Sequence, residues 1–222
     1  MIEHGDHILW DGLIGNWGKM KPQLKKDSFN KCAYCVSDTA MVAHGDIEHF
    51  RPKSVYWWLA LCVDNYIYVC QICNQTYKSN HFPITGPELS GPNLPGVLPA
   101  SEEAMRRLVE GLCPDPAKID EEVFLTEWLQ EGPHVPHPYL EDPEPLLAWA
   151  ASETAREIAL VAPDNATLRS QLAVAAVIAY LGLNRDTLTR SSSLSDLTMT
   201  ERLKERYALA TQSMIKPCRN SS

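Results

Sequence analysis

Residues 31–83 read KCAYCVSDTAMVAHGDIEHFRPKSVYWWLALCVDNYIYVCQICNQTYKSNHFP and decide the fold. Two Cys-x-x-C pairs, Cys32/Cys35 and Cys70/Cys73, bracket about 35 residues of this stretch. Each pair can form a knuckle whose two thiolates reach the same ion, so the spacing predicts one structural zinc. A redox pair of the thioredoxin kind would open a helix in a βαβ unit, and no such unit is visible. Unmetallated core cysteines are the remaining alternative.

The segments around the cysteine pairs predict two strands followed by a short helix. The first strand is expected over 47–50 and ends before Pro52, because proline cannot donate a hydrogen bond to a ladder. The second strand is expected over 66–69, and a short helix over 71–79 follows it. The whole chain is therefore predicted to be an α+β protein with very little sheet.

The polar residues of this module follow the order found in the HNH, or ββα-metal, nucleases. The segments KCAYC, IEHFRPKS, YWWLA, DN, CQICN and KSNHFP occur in sequence. In this order they resemble the HNH proteins encoded beside an ATPase in Septu-type and retron-type bacterial defence systems. The resemblance covers roughly residues 15–85 strongly, and EDPEPLLAW at 141–149 and LGLNRDTL at 181–188 more loosely. It implies a zinc-stabilised ββα-metal module with surrounding and C-terminal helices.

The resemblance also implies a metal-dependent endonuclease site. His49 would be the general base, since imidazole titrates near neutral pH. Glu48 and Asn74 would bind one divalent cation through oxygen, which favours Mg²⁺ or Mn²⁺. Asn65 is expected to support catalysis by bridging backbone groups of its loop, with a direct ligand role as the alternative. DNA is the favoured substrate, and RNA stays open.

Glu48 presents a geometric difficulty. Neighbouring residues on a regular strand point to opposite faces, so Glu48 and His49 would not share a site unless the strand is ending there. Otherwise Glu48 would lie outside the ligand set, and another side chain would complete it. The spare candidates are His44, Asp46 and His81.

The charge of the chain is uneven along its length. The net charge is −8, yet residues 1–83 hold eight basic and eight acidic side chains, whereas residues 84–222 hold twelve and twenty. Within the first part, a basic strip leads into the cysteine cluster, and it would either contact phosphates or form a solvated face. The strip consists of Lys19, Lys21, Lys25, Lys26 and Lys31. Three further cations are predicted to contact nucleic acid, namely Arg51, Lys53 and Lys78.

Composition predicts a globular protein of the cytoplasm. Apolar residues make up 45% of the chain, which is enough for a core. No signal peptide is expected at the N terminus, and the longest apolar run, 173–183, is too short to cross a bilayer. The aromatic run 56–61 is expected to form a hydrophobic platform beneath the site, although Trp57 or Trp58 could stack on nucleobases instead.

The second half of the chain predicts helices. A Pro- and Gly-rich linker over 84–100 precedes expected helices over 101–112, 146–161, 165–183 and 200–215. The chain is therefore divided into a nuclease module, 1–85, and a helical region, 86–222. The helical region would either dock the ATPase of a defence complex or merely complete the core. The alternative to the nuclease is a non-catalytic zinc-ribbon module that binds nucleic acid or protein.

Overall fold

The computed structural model describes residues 18–39, 44–112, 121–152 and 157–185. Helices and two small antiparallel sheets alternate within these ranges, which confirms the predicted α+β class. The helices are α1 (Lys21–Asp27), α2 (Glu102–Leu112), α3 (Glu121–Leu129) and α4 (Leu168–Leu181), and a π-helix spans Ile72–Lys78. The strands are β1 (Gly45–His49), β2 (Tyr66–Cys70), β3 (Ala148–Ser152) and β4 (Glu157–Val161). Two short 3₁₀ turns, Trp57–Leu59 and Val63–Asn65, connect β1 to β2.

Strands β1 and β2 form the sheet that carries the candidate site. They pair antiparallel, with Gly45 opposite Cys70 and His49 opposite Tyr66. Every residue of β2 is buried, because both faces of this strand are covered. One face packs with Leu24 of α1, and the other contributes to a core shared with α4; that core includes Phe50, Ile67, Val69, Val177 and Leu181. Both predicted strands are therefore present.

The helix predicted over 71–79 is present as a π-helix. Its wider turn is closed by a backbone bond from Ser79 N to Asn74 O, 2.8 Å long. Such helices are rare, and they occur mostly as short insertions at functional sites. The segment turns Asn74 and Lys78 toward β1, as the contacts described below show.

Helix α4 confirms the helix predicted over 165–183. The hydroxyl of Thr167 caps its N terminus by accepting from Ser170 N, and Gly182 ends it in the left-handed conformation at φ +61°. Ala173, Ala176 and Val177 are buried along the face that packs toward the π-helix and β4.

The helix predicted over 146–161 is wrong, because strands β3 and β4 occupy this region as an antiparallel pair. Ile158 and Leu160 are buried on one face of β4, with the period of two that a strand imposes. The side chain of Asn184 supplies further backbone bonds to β4. Its Oδ1 accepts from Leu160 N at 2.7 Å and its Nδ2 donates to Leu160 O at 3.0 Å. Tertiary pairing thus overrides the helical preference of the alanines in this segment.

The chain divides into two compact units. One consists of Met1–Pro83 together with His134–Ser222, and the other of Ile84–Pro133. The second unit contains α2, α3 and the irregular segment 84–100, and the carboxylate of Glu131 binds Leu89 N within it. Ser101 caps α2 by accepting from Ala104 N at 3.3 Å, so the helix predicted over 101–112 is confirmed. The predicted functional division after residue 85 stays a prediction.

Two other predictions concern a C-terminal helix and membrane-spanning segments. The helix predicted over 200–215 lies outside the described residues. Among the helices that are described, none has both the length and the apolar character that crossing a membrane requires.

Candidate functional site

The four cysteines predicted to bind zinc lie together. Their Sγ atoms are all within 4.8 Å of one another, and Cys35 Sγ is 3.9 Å from Cys70 Sγ. In a tetrahedral site with Zn–S bonds of about 2.3 Å, neighbouring sulfurs are about 3.8 Å apart. The cluster, completed by Cys32 and Cys73, therefore has the dimensions to hold a metal ion such as zinc.

Local backbone turns bring the sulfurs together. After the first pair the chain reverses through Val36, which has a left-handed φ of +59° and donates to Cys32 O at 2.8 Å. In the second pair Cys73 N points at Cys70 Sγ, 3.5 Å away. Ala33 N donates to Tyr68 O at 2.9 Å, which fixes the first pair onto β2. The two knuckles are thus built separately and then joined through the sheet.

The electrostatics of the cluster call for a cation. Burial raises the pKa of Cys32 well above its ordinary value, whereas hydrogen bonding from Cys32 lowers the pKa of Cys35. Hydrogen bonding from Cys32 also lowers the pKa of Cys70 to about 7. Four thiols packed this closely cannot all ionise by themselves, since each thiolate opposes the next. A bound divalent cation would remove that opposition, which is why metal affinity and thiol ionisation are linked.

The end of α4 closes the cysteine cluster. Cys73 Sγ lies 3.7 Å from Leu181 O, and Arg185 Nη1 lies 3.6 Å from the same sulfur. The Arg185 guanidinium also donates to Leu181 O and Gly182 O. Sequence analysis did not single out Arg185, although the LGLNRDTL segment that contains it belongs to the looser part of the family resemblance. A cation at this position offsets part of the negative charge of a four-thiolate site.

A cleft of about 520 Å³ lies beside β1. It brings together His49, Glu48 and Asn74, three residues predicted for catalysis or cation binding, with the predicted phosphate ligand Lys53. The other residues that line it are Asp46, Ile47, Pro52, Gln75, Ser79 and Asn80. Glu48 and His49 therefore share one cleft even though they are neighbours on a strand, because β1 ends at His49.

His49 is held by a backbone carbonyl. Its Nε2 is 2.9 Å from Ala60 O, and the hydroxyl of Tyr66 donates to the same oxygen at 2.9 Å. The Tyr66 ring also lies edge-on against the imidazole, with centroids 5.3 Å apart. Because a carbonyl only accepts, Nε2 must carry the proton, and the lone pair of the neutral imidazole is then on Nδ1. Burial lowers the pKa of His49, which favours this neutral form near pH 7.

Two pairs of side chains connect β1 to the π-helix like rungs of a ladder. In the first rung, Asn74 Nδ2 is 3.4 Å from Asp46 Oδ2. In the second, Lys78 Nζ is 2.9 Å from Glu48 Oε1, and both side chains are buried. Burial raises the pKa of Glu48 and lowers that of Lys78, while their mutual contact acts on each in the opposite direction.

Asn65 bridges backbone groups. Its Oδ1 accepts from Arg51 N at 2.8 Å, and its Nδ2 donates to Arg51 O at 3.1 Å and to Leu59 O at 3.3 Å. The side chain is fully buried and connects the segment after β1 to the loop before β2. This holds Leu59, and with it the neighbouring Ala60 carbonyl, in a fixed place relative to β1.

Two of the three cations predicted to contact nucleic acid are buried. Arg51 and Lys78 have no exposed surface, whereas Lys53 is half-buried at the cleft. The Arg51 guanidinium lies 5.4–5.9 Å from the centres of three aromatic rings, those of Phe50, Tyr56 and Phe82. Among the spare ligand candidates Asp46 lines the cleft, and His44 and His81 are not among its lining residues.

Comparisons with known proteins give one partial relative. Septu protein PtuB from Bacillus mycoides (strain KBAB4) is 38% identical over 78 residues, which cover 29% of this chain and 26% of that protein. The chain therefore spans about a quarter of the length of the curated relative that it matches. No protein-family model matches, and no solved structure matches.

Proposed function

We propose that this chain is a metal-dependent HNH endonuclease that hydrolyses phosphodiester bonds of nucleic acid, DNA in the first place. The observation that carries the proposal is His49, a neutral imidazole with a fixed tautomer, in a cleft whose wall bears oxygen ligands. The similarity to a Septu protein supports a role in anti-phage defence. We further propose an ATPase as the partner.

His49 is placed to act as the general base. The Ala60 carbonyl keeps the proton on Nε2, so Nδ1 can take a proton from an attacking water. After that transfer the imidazolium is stabilised by the same carbonyl, which then accepts from a charged donor. The Asn65 bridge holds the loop that presents this carbonyl, and so it keeps the base oriented.

Oxygen atoms on the wall of the cleft would hold the divalent cation. One or more of three candidate side chains, Asp46, Glu48 and Asn74, would supply these oxygens, since carboxylate and amide oxygens suit Mg²⁺ or Mn²⁺. A bound cation would supply positive charge where the phosphate and the leaving oxygen become more negative. Lys53 is the cation of the cleft wall that could contact a flanking phosphate.

The cysteine cluster would act as a scaffold for this site. Cys70 is the last residue of β2 and Cys73 lies in the π-helix, so a zinc bound there fixes the helix relative to the sheet. The wall of the cleft consists of β1 and the π-helix, and their relative position sets the distance between His49 and Asn74. Zinc is therefore expected to affect catalysis through structure alone.

A zinc-ribbon module that only binds nucleic acid or protein is the second candidate. The cysteine cluster would suit it equally well. Such a module has no need for a buried histidine whose tautomer is fixed beside two carboxylates. These features favour the enzyme.

A plasmid-nicking assay tests the proposal. Zinc-loaded protein, with and without the ATPase encoded beside it, should nick plasmid in the presence of Mg²⁺. His49→Ala should reduce the rate by at least about 100-fold, the lower end for a lost general base, while zinc content and melting temperature change little. Tyr66→Phe is the matched control, because it removes the other bond to Ala60 O and leaves the base in place. A His49→Ala protein that cuts as fast as the parent would show that this cleft is not a nuclease site.

A further inference from the structure

We propose that Asp46 and Asn74 hold the catalytic cation of this cleft, and that Glu48 is not a ligand. Glu48 instead forms a buried ion pair with Lys78, and this pair connects the π-helix to β1. That this cation is catalytic rests on the proposed function. The cation site itself is inferred from the contacts of the two rungs.

In the rung formed by Glu48 and Lys78, the two opposite charges already balance each other. The two groups are 2.9 Å apart, and the ammonium has no exposed surface. A metal ion on Glu48 would compete with Lys78 and leave a buried ammonium without its counter-charge, which is strongly unfavourable. Burial lowers the pKa of Lys53 while the Glu48 carboxylate opposes that shift, so the side chain of Lys53 also lies near Glu48. The surroundings of Glu48 therefore oppose a further cation.

Asp46 is in the opposite situation. Its side chain is only partly buried, and among the described residues no lysine, arginine or histidine forms an ion pair with it. Oδ1 accepts from Ile47 N at 2.9 Å, which holds the carboxylate in place. Oδ2 is turned toward Asn74. The carboxylate is thus held in place and lines the cleft.

The distance between Asp46 and Asn74 suits two ligands of one cation. At 3.4 Å, the contact from Asn74 Nδ2 to Asp46 Oδ2 is long for a hydrogen bond. A half-turn of the amide exchanges its nitrogen and oxygen and brings Oδ1 to the same place. Neighbouring oxygens around Mg²⁺ are about 2.9 Å apart, given metal–oxygen distances of 2.0–2.1 Å. A shift of about 0.5 Å would let the two side chains chelate one ion.

The position along β1 agrees with the chemistry. Asp46 precedes His49 by three residues, which corresponds to about 10 Å of strand. In an in-line displacement the attacking water and the leaving oxygen lie on opposite sides of phosphorus. A base at one end of the cleft and a cation at the other can therefore act on the two sides of one phosphate.

Mn²⁺ titration followed by electron paramagnetic resonance tests the assignment directly. Zinc-saturated full-length chain should bind one Mn²⁺, and Asp46→Asn should weaken that binding by at least about 10-fold. Asn74→Asp, which adds a carboxylate beside Asp46, should tighten it. The matched control is the double variant Glu48→Gln/Lys78→Met, which removes both charges of the buried pair together. It should bind Mn²⁺ within about 3-fold of the parent, well short of the loss expected for a changed ligand.

Several results would overturn the proposal. These are a parent protein that binds no Mn²⁺, an Asp46→Asn protein that binds it as the parent does, and a double variant that loses it. If Asp46→Asn does not fold, judged by melting temperature and zinc content, Asn74→Asp and the double variant still decide. Cleavage assays on the same proteins separate this inference from the nuclease. Binding that depends on Asp46, without any cleavage even when the proposed ATPase partner is present, would leave the cation site standing and refute the enzyme.

Discussion

A single backbone oxygen governs the chemistry available to His49. Ala60 O accepts from both His49 and Tyr66, and it lies in a loop held by Asn65. The carbonyl selects which imidazole nitrogen can act as a base, and burial lowers the pKa of the imidazole, which favours its neutral form. The reactivity of the residue is therefore set by its surroundings as much as by its identity.

The pH dependence of cleavage should report this environment. Burial lowers the pKa of His49, and the nearby Lys53 and Lys78 act in the same direction. Below its pKa the imidazole is protonated and cannot accept a proton, so kcat/KM should fall only on the acid side. The midpoint should lie below about 6.5, the ordinary value for histidine. A pH profile of kcat/KM, with zinc content measured at each pH, checks this, and a midpoint above pH 7 would contradict it.

At the residue scale, the sequence predicts the side chains of the cleft better than it predicts their contacts. The spacing of Glu48, His49 and Asn74 was enough to expect them together, because it follows the order of a known family. The burial of Arg51 and Lys78 was not predictable, since lysine and arginine are almost never fully buried unless paired. The partner of Lys78 is 30 positions away, and only the meeting of β1 with the π-helix brings the two together.

The elements of the site are joined by the cysteine cluster. It connects a knuckle before β1 with the end of β2 and the start of the π-helix. The Cys-x-x-C spacing made these junctions predictable. The antiparallel pair β3 and β4 was not, because its alanine-rich sequence favours a helix locally, and the side chain that binds the backbone of β4, Asn184, lies far along the chain.

Removing one cysteine of the cluster should destabilise the packing of these elements. The protein is expected to hold about one zinc per chain, and Cys32→Ser should lower the zinc content and destabilise the fold severely, because metal-binding energy is also folding energy. Cys62→Ser is the control, since Cys62 is half-buried and outside the cluster. Elemental analysis and thermal melting measure both effects. Purified parent protein that is folded and free of zinc would contradict the assignment.

The C-terminal end of α4 should also be sensitive to substitution. Gly182 has a φ of +61°, and a Cβ there would lie 2.4 Å from the Tyr77 ring. Gly182→Ala should therefore reduce the free energy of unfolding by at least about 1–2 kcal/mol, the cost of the left-handed conformation alone. Gly96→Ala is the matched control, because a Cβ there meets nothing within 4 Å. Urea unfolding compares the two, and equal effects would contradict the expected cost of the left-handed conformation at residue 182.

At the scale of the whole molecule, charge argues for a partner. Residues 1–83 carry no net charge and residues 84–222 carry the entire excess of acid. Long-range attraction to a polyanion is therefore weak, and a lone enzyme of this kind would bind nucleic acid poorly at physiological salt. Acidic side chains such as Glu102, Glu103 and Glu122 are exposed on the helices of residues 84–133.

Cleavage should consequently depend on a second protein. Co-expression with the proposed ATPase partner should give a complex that elutes earlier from size-exclusion chromatography than this chain does. The complex should also cut nucleic acid faster than the chain alone. The acidic helical region from about 101 to 215 is the expected contact. A chain that elutes free of the ATPase and cleaves at full rate without it would rule the dependence out.

The contact between Cys73 and the end of α4 has a consequence for the order of events during synthesis. The four cysteines of the cluster have all been synthesised once residue 73 is made, whereas Leu181 and Arg185 follow more than a hundred residues later. During synthesis the cluster can thus capture its metal long before the segment that closes over it exists. The nascent chain passes through a stage in which the metal is held but still open to exchange. The site becomes covered only after residue 185 has been made, so a cell short of zinc would have until then to load it.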